Sequence, residues 1–140
     1  FLGGERAPLW NAKARGSFFG LSHIHTRADM LRAVMEGISM NIATVFQAVR
    51  ALVGEPASVT ATGGFARSKV WRQMLADILN CPVIDRLDTP QKFIGKVSSY
   101  QPDPAAVKVY QRYTPLFQQI EDMLAPAYSE IAKLQERQNN

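Results

Sequence analysis

The sequence has one cysteine and two histidines, and it lacks any apolar run long enough to cross a bilayer. Cys81 alone can close no intrachain disulfide, which suits a reducing compartment. The histidines stand as His23-x-His25, with no further histidine, clustered cysteine or nearby carboxylate pair to complete a metal site. A membrane helix needs roughly 18 to 20 consecutive apolar residues, and no signal-peptide pattern is visible either. A cytoplasmic location without a membrane partner is therefore expected. Basic residues outnumber acidic ones for a net charge of +4, but they are scattered and not interleaved with aromatics. No nucleic-acid partner is expected from such a pattern. Internal repeats and low-complexity tracts are also missing. What remains is ordinary globular composition, 46% hydrophobic and 20% charged. A chain of 140 residues can bury one core, yet it is short for a complete two-domain enzyme. It opens on Phe1, and the expectation is a piece of something larger.

The most informative stretch is 59–71. Val59, Thr60 and Thr62 favour a short strand, and Gly63-Gly64 ends it. Ser68 then fits the N-cap of a helix whose apolar face is Met74, Leu75, Ile78 and Leu79. A strand, a glycine turn and a helix N-terminus together offer backbone N–H groups and a positive dipole end, a combination that suits phosphate. On local pattern alone, an ordinary strand-to-helix turn accounts for the two glycines more simply.

The remaining segments frame that stretch. Gly3-Gly4-Glu5-Arg6-Ala7-Pro8 is loop chemistry, and its Glu-Arg pair either pins the loop or presents Arg6 to an anion. Arg15 to Leu21 reads as a turn into a short buried strand. Thr26-x-x-Asp29 predicts a capping box. The helix that follows carries Leu31, Val34, Met35, Ile38, Ile42, Val45, Phe46, Val49 and Leu52 at helical spacing, and Gly54 closes it. Gly37 inside it predicts a close approach by another element. Cys81 to Ile84 reads as a strand, so strands and helices alternate. That order favours an α/β layer with at least part of the sheet parallel. Asp85 to Ser99 has no clear period and would make a long loop. Asp103 and Pro104 fit the N-cap and first position of a terminal helical region, which Pro115 and Pro126 should break or kink.

Three ordered blocks carry a family resemblance. Gly16-x-Phe18-x-Gly20-Leu21, followed by Asp29-Met30 and Ala33-Val34-Met35-Glu36, resembles the second signature of the FGGY carbohydrate kinases. Ala61 to Met74 is similar to the adenosine motif of that family, and Gly3 to Trp10 adds a third element in the right order. The wording of the blocks looks most like the gluconate kinase (gluconokinase) branch, with xylulose and other pentose kinases sharing much of it. The resemblance covers about residues 1 to 84 well and the terminal helix loosely.

The resemblance implies the C-terminal, ATP-binding domain of an actin-like, ribonuclease H-like α/β fold, spanning residues 1–140, with an N-terminal FGGY domain as its partner. It implies ATP and Mg²⁺ as cofactors and a sugar acid, D-gluconate above all, as substrate. By position, Gly63, Gly64, Phe65 and Ser68 would hold the nucleotide, and Glu5 and Arg6 would lie in or near the substrate cleft. The general-base aspartate is expected upstream of this chain. Relatives follow the strand near Val83 with a glutamate-containing loop and a Gly-Ala-rich helix, neither of which is present, so a missing segment is expected around residues 85–92. A homodimer is left open, as is a non-catalytic actin-like nucleotide-binding module.

Overall fold

Thr26 and Asp29 exchange side-chain and backbone hydrogen bonds, the Thr26 N–H donating to the Asp29 carboxylate at 2.8 Å, and this capping box starts α1 (Arg27–Val53). The computed structural model describes residues 4, 5, 7, 10–85 and 98–138. Gly54, in the left-handed region at φ 85°, ends α1 and donates its N–H to the Arg50 carbonyl. β1 (Val59–Ala61) leads through a single 3₁₀ turn (Gly64–Arg67) into α2 (Lys69–Leu79), and β2 (Val83–Asp85) follows. β1 and β2 pair in parallel, Val59 opposite Val83 and Ala61 opposite Asp85, with α2 as the crossover. β3 (Ser99–Tyr100) completes a three-stranded sheet by pairing antiparallel to β2. α3 (Pro104–Gln138) packs on α2, which in turn packs on α1 and the sheet. The expected α/β layer with a parallel pair is therefore present.

The core lies where α2 meets the sheet and α1. Ala61, Leu75, Ala76, Leu79, Cys81 and Val83 are buried there with Ala43 of α1, and Ile42 and Phe46 pack against them. A second cluster joins Met40, Met74 and Tyr110 across the three helices. The small residues let helix and sheet backbones approach closely, so the filling of Leu75 and Val83 decides the packing. The apolar face expected for α2 is the one it buries, Ile78 in part.

Four expectations need correction. Arg15 to Leu21 forms no strand, and Phe18, Phe19 and Leu21 are exposed. A strand is stable only with ladder partners, and none of the described strands lies beside it. The apolar stripe of α1 is split: Met35, Ile42 and Phe46 face the core, whereas Leu31, Val34, Ile38, Val49 and Leu52 are exposed. Pro115 and Pro126 do not interrupt α3, because each removes one backbone hydrogen bond while buried residues on either side, Tyr110 and Thr114 before and Glu121, Tyr128 and Ala132 after, hold the helix. Gly37 has Phe117 of α3 opposite it, but a Cβ there would sit 3.9 Å from the ring, an ordinary contact and not one reserved for glycine. The missing segment expected around residues 85–92 falls, apart from Asp85, outside the described residues. Its flanks meet, since Ser98 donates its N–H to the Asp85 carboxylate at 2.7 Å and Asp85 returns its own N–H to the Ser98 carbonyl.

Candidate functional site, a strand-to-helix turn

The turn after β1 is built from Thr62 to Ser68. Gly63 takes φ 78°, a left-handed conformation that glycine adopts without the Cβ penalty. Gly64 begins the 3₁₀ turn, which holds Phe65, Ala66 and Arg67. The left-handed geometry thus belongs to Gly63 alone, a correction to the equal weight the sequence gives the pair. A Cβ on either glycine would meet nothing within 4 Å, so the turn is open on the side its side chains would occupy. Ser68 is the N-cap of α2, its hydroxyl accepting the Trp71 N–H at 3.3 Å, as expected. An open glycine turn ahead of a capped helix N-terminus places backbone donors and a partial positive charge together.

A chain of contacts that the sequence did not announce fixes this turn to the body. The Trp71 indole donates to Ser39 Oγ at 3.0 Å, and the Ser39 hydroxyl donates to the Met35 carbonyl at 2.8 Å. Ser39 is fully buried, so its single acceptor role positions the first turn of α2 against the middle of α1. A serine inside an apolar helical run was the available signal. Behind the turn, Arg72 pairs with Asp85 at the end of β2 and lies 4.6 Å from the centroid of the Tyr100 ring. That pair ties α2 to both following strands. Asp77 accepts from Gln73 Nε2 and from the Asp103 N–H, each at 2.8 Å, and so joins α2 to the start of α3. Beside α2 runs a cleft of about 410 Å³ lined by Arg32, Lys69, Gln73, Met74 and Tyr100, among others.

The other sequence-selected residues sit elsewhere. Glu5 accepts from Asn41 Nδ2 of α1 at 3.1 Å, and its backbone N–H donates to the Asn11 carbonyl. Glu5 therefore anchors its loop to α1. Arg6 lies outside the described residues. Glu121 of α3 is buried, and burial first, then the nearby Glu5 and Asp122, push its carboxyl above the ordinary range. Glu36 joins α1 to α3. It accepts from Arg32 Nε and from the Tyr110 hydroxyl, each at 2.9 Å, and Arg32 also donates to the Tyr110 oxygen. Burial, then the bond to Glu36, raises the Tyr110 hydroxyl. His25 Nδ1 accepts the Ser22 N–H at 2.9 Å and serves the loop ahead of α1.

The sequence model of the C-terminal domain of the FGGY family of carbohydrate kinases matches residues 1–90. The chain belongs to that family. Gluconokinase of Bacillus licheniformis is 38% identical to this FGGY chain over 159 residues, covering 96% of it and 31% of the relative. Xylulose kinase of Escherichia coli (strain K12) is 50% identical over 78 residues, 56% of this chain and 16% of the relative. Among solved structures, gluconate kinase from Lactobacillus acidophilus superposes with a TM-score of 0.83 at 33% identity, over 93% of this chain and 31% of that one. The ligand-bound xylulose kinase from the same organism gives 0.79, also at 33% identity. The chain thus spans about a third of the length of the curated relatives it matches, and its fold is that of the C-terminal part of the sugar kinases.

Proposed function

We propose that this chain is the ATP-binding part of a kinase that transfers the γ-phosphoryl group of ATP to a hydroxyl of D-gluconate. The observation that carries the reading is the open glycine turn between β1 and α2 in a member of a carbohydrate kinase family. In this reading the backbone of Gly63 and Gly64 approaches the ATP phosphates, with Phe65 and Ser68 beside the nucleotide. Phosphoryl transfer depends on positioning and on stabilising developing charge, and backbone donors on a rigid turn serve both. The turn from Thr62 to Ser68 holds no acidic residue, so Mg²⁺ would enter on the phosphates and neutralise their charge. Glu5 and Arg6 belong at the edge of the sugar cleft. Residues 1–140 form the C-terminal FGGY domain, which works against an N-terminal FGGY domain that supplies the general-base aspartate. The alignment with the Bacillus licheniformis relative, 159 residues long, exceeds the 140 residues of this chain. Part of the relative therefore stands opposite gaps, as a missing segment would require, and we place that segment around residues 85–92 on the sequence.

Gluconate is preferred as substrate because the gluconokinases match 96% of this chain, whereas the xylulose kinases of Escherichia coli and Staphylococcus xylosus match 56% and 63%. The higher identity of the Escherichia coli xylulose kinase, 50%, favours a pentose as the second reading. The deciding measurement is kcat/KM for gluconate, xylulose and glycerol with ATP, on the longer polypeptide that includes this chain. A site that pairs a carboxylate rejects neutral analogues, so gluconate should lead by about a hundredfold or more. A lead for xylulose would move the substrate to the pentose branch. ATP binding without transfer to any sugar would identify a non-catalytic nucleotide-binding module.

A further inference from the structure

Arg32 of α1 is held in a closed ring of hydrogen bonds. Its Nε donates to Glu36 at 2.9 Å, its Nη2 donates to the Tyr110 oxygen at 3.1 Å, and the Tyr110 hydroxyl donates to Glu36 at 2.9 Å. A free arginine samples many rotamers, so a guanidinium fixed in advance loses less freedom when an anion binds it. Its third nitrogen, Nη1, has no hydrogen-bond partner among the described residues. This guanidinium stands where two hollows meet, the cleft of about 410 Å³ beside α2 and one of about 340 Å³ between α1 and α3. Lys69 lines the α2 wall of the cleft, and among the described residues no carboxylate pairs with it. It opens an eleven-residue helix, whose positive dipole end adds to its charge. The acidic groups nearby are already bonded to donors. Glu36 belongs to the ring, and Asp77 accepts from Gln73 and from the Asp103 N–H. Asp77 also lies eight residues beyond Lys69, about 12 Å along the helix axis. Gln73 donates its amide nitrogen to Asp77 at 2.8 Å and to the Gln101 carbonyl at 2.7 Å. Those bonds fix the amide and leave its Oε1 as an acceptor without a donor among the described residues. Val70, Met74 and Tyr100 give the cleft an apolar wall.

We infer that this cleft is a ligand site of its own, for a phosphorylated polyol, with the phosphate between Arg32 Nη1 and Lys69 and the hydroxyl chain along Gln73. Each part of the ligand answers a feature of the wall. A phosphate monoester matches a fixed guanidinium fork and a free ammonium. Hydroxyl donors satisfy Gln73 Oε1, and the C–H side of the chain lies on Met74 and the Tyr100 ring, whose face is electron-rich. The volume falls in the range of small-molecule sites. None of Gly63, Gly64, Phe65 and Ser68 lines the cleft, so it is separate from the turn proposed for ATP. Binding here requires neither ATP nor phosphoryl transfer.

The test is calorimetric titration of 6-phosphogluconate into the longer polypeptide that includes this chain, with and without a non-hydrolysable ATP analogue at saturation. The analogue keeps the probe out of a kinase active site, because its γ-phosphate stands where a product phosphate would lie. Binding at the cleft should persist with the analogue present, and Lys69→Ala should weaken it about tenfold or more. Lys69 is exposed and unpaired, so this variant should keep the urea midpoint of the parent. Arg32→Gln should lose at least as much affinity. Inorganic phosphate should bind about tenfold more weakly than the ester or worse, since it brings no hydroxyl chain to Gln73. Loss of all binding in the presence of the analogue overturns the inference, and so does a Lys69→Ala variant that titrates like the parent. Inorganic phosphate binding as tightly as 6-phosphogluconate overturns it as well, because the cleft would then read a free anion and no polyol. Sugar phosphorylation on the same preparation keeps the two readings apart. Activity without this binding removes the cleft alone, whereas binding without activity removes the kinase and leaves the cleft standing.

Discussion

Gly63 and Gly64 stand next to each other in the sequence but answer to different constraints. Gly63 holds the left-handed backbone, so valine there should cost on the order of 1 to 3 kcal/mol of stability. Gly64 has an ordinary backbone and open space before it. Gly64→Val should therefore leave stability within about 0.5 kcal/mol and act on ATP alone, by standing where a phosphate would lie. Calorimetric titration of ATP into the longer polypeptide, with Lys108→Ala as control, checks this; parent-like binding by Gly64→Val would remove the turn from the nucleotide site. Glu121 makes a second prediction at this scale. Its carboxyl is raised in the folded state by burial and by Glu5, so the folded chain keeps a proton that the unfolded chain releases. The stability this supplies is complete below about pH 4.5 and is lost as pH climbs through the elevated value. Glu121→Gln should therefore gain on the parent in urea midpoint between pH 4.5 and pH 8. Equal pH slopes would show that the carboxyl is not held neutral.

Single contacts between elements decide how α2 sits. Arg72 and Asp85 are both buried, and each is the other's counter-charge at the seam of α2 and β2. Removing one partner strands a buried charge, so Arg72→Leu should cost about 3 to 5 kcal/mol, and replacing both with leucine should cost less than the single change. Denaturant midpoints of the two single variants and the double variant measure this directly, and additivity would mean that the pair is not coupled. In α3, Pro126 lacks the N–H that a continuous helix would use. Pro126→Ala should stabilise the chain by about 1 to 3 kcal/mol, read as a raised thermal midpoint. A fall would show that the proline ring is needed for packing.

At the scale of the whole molecule, the described residues form three strands with helices packed on them, a single layer. The kinase reading proposed above calls for a cleft, and one layer gives only one of its walls. Residues 1–140 alone should therefore bind nucleotide weakly and phosphorylate no sugar. A coupled assay with ATP and gluconate checks it, and sustained turnover by the isolated chain would show that the base and the sugar contacts lie within it.

The capping box at Thr26, the N-cap at Ser68, the Asp103-Pro104 start of α3 and the apolar face of α2 were legible because each depends on residues within a few positions of one another. The family blocks were legible for the same reason: they are contiguous. Tertiary structure alone decided which apolar residues of α1 lie inside, since periodicity marks a stripe without saying what covers it. It also decided that Arg15 to Leu21 stays irregular, because a strand is a property of two segments and not of one. The Arg72–Asp85 pair joins residues thirteen positions apart, and the Trp71–Ser39 bond joins residues thirty-two apart. Neither separation leaves a local trace, because a long-range contact is set by how helices and strands pack and not by the order of neighbours along the chain.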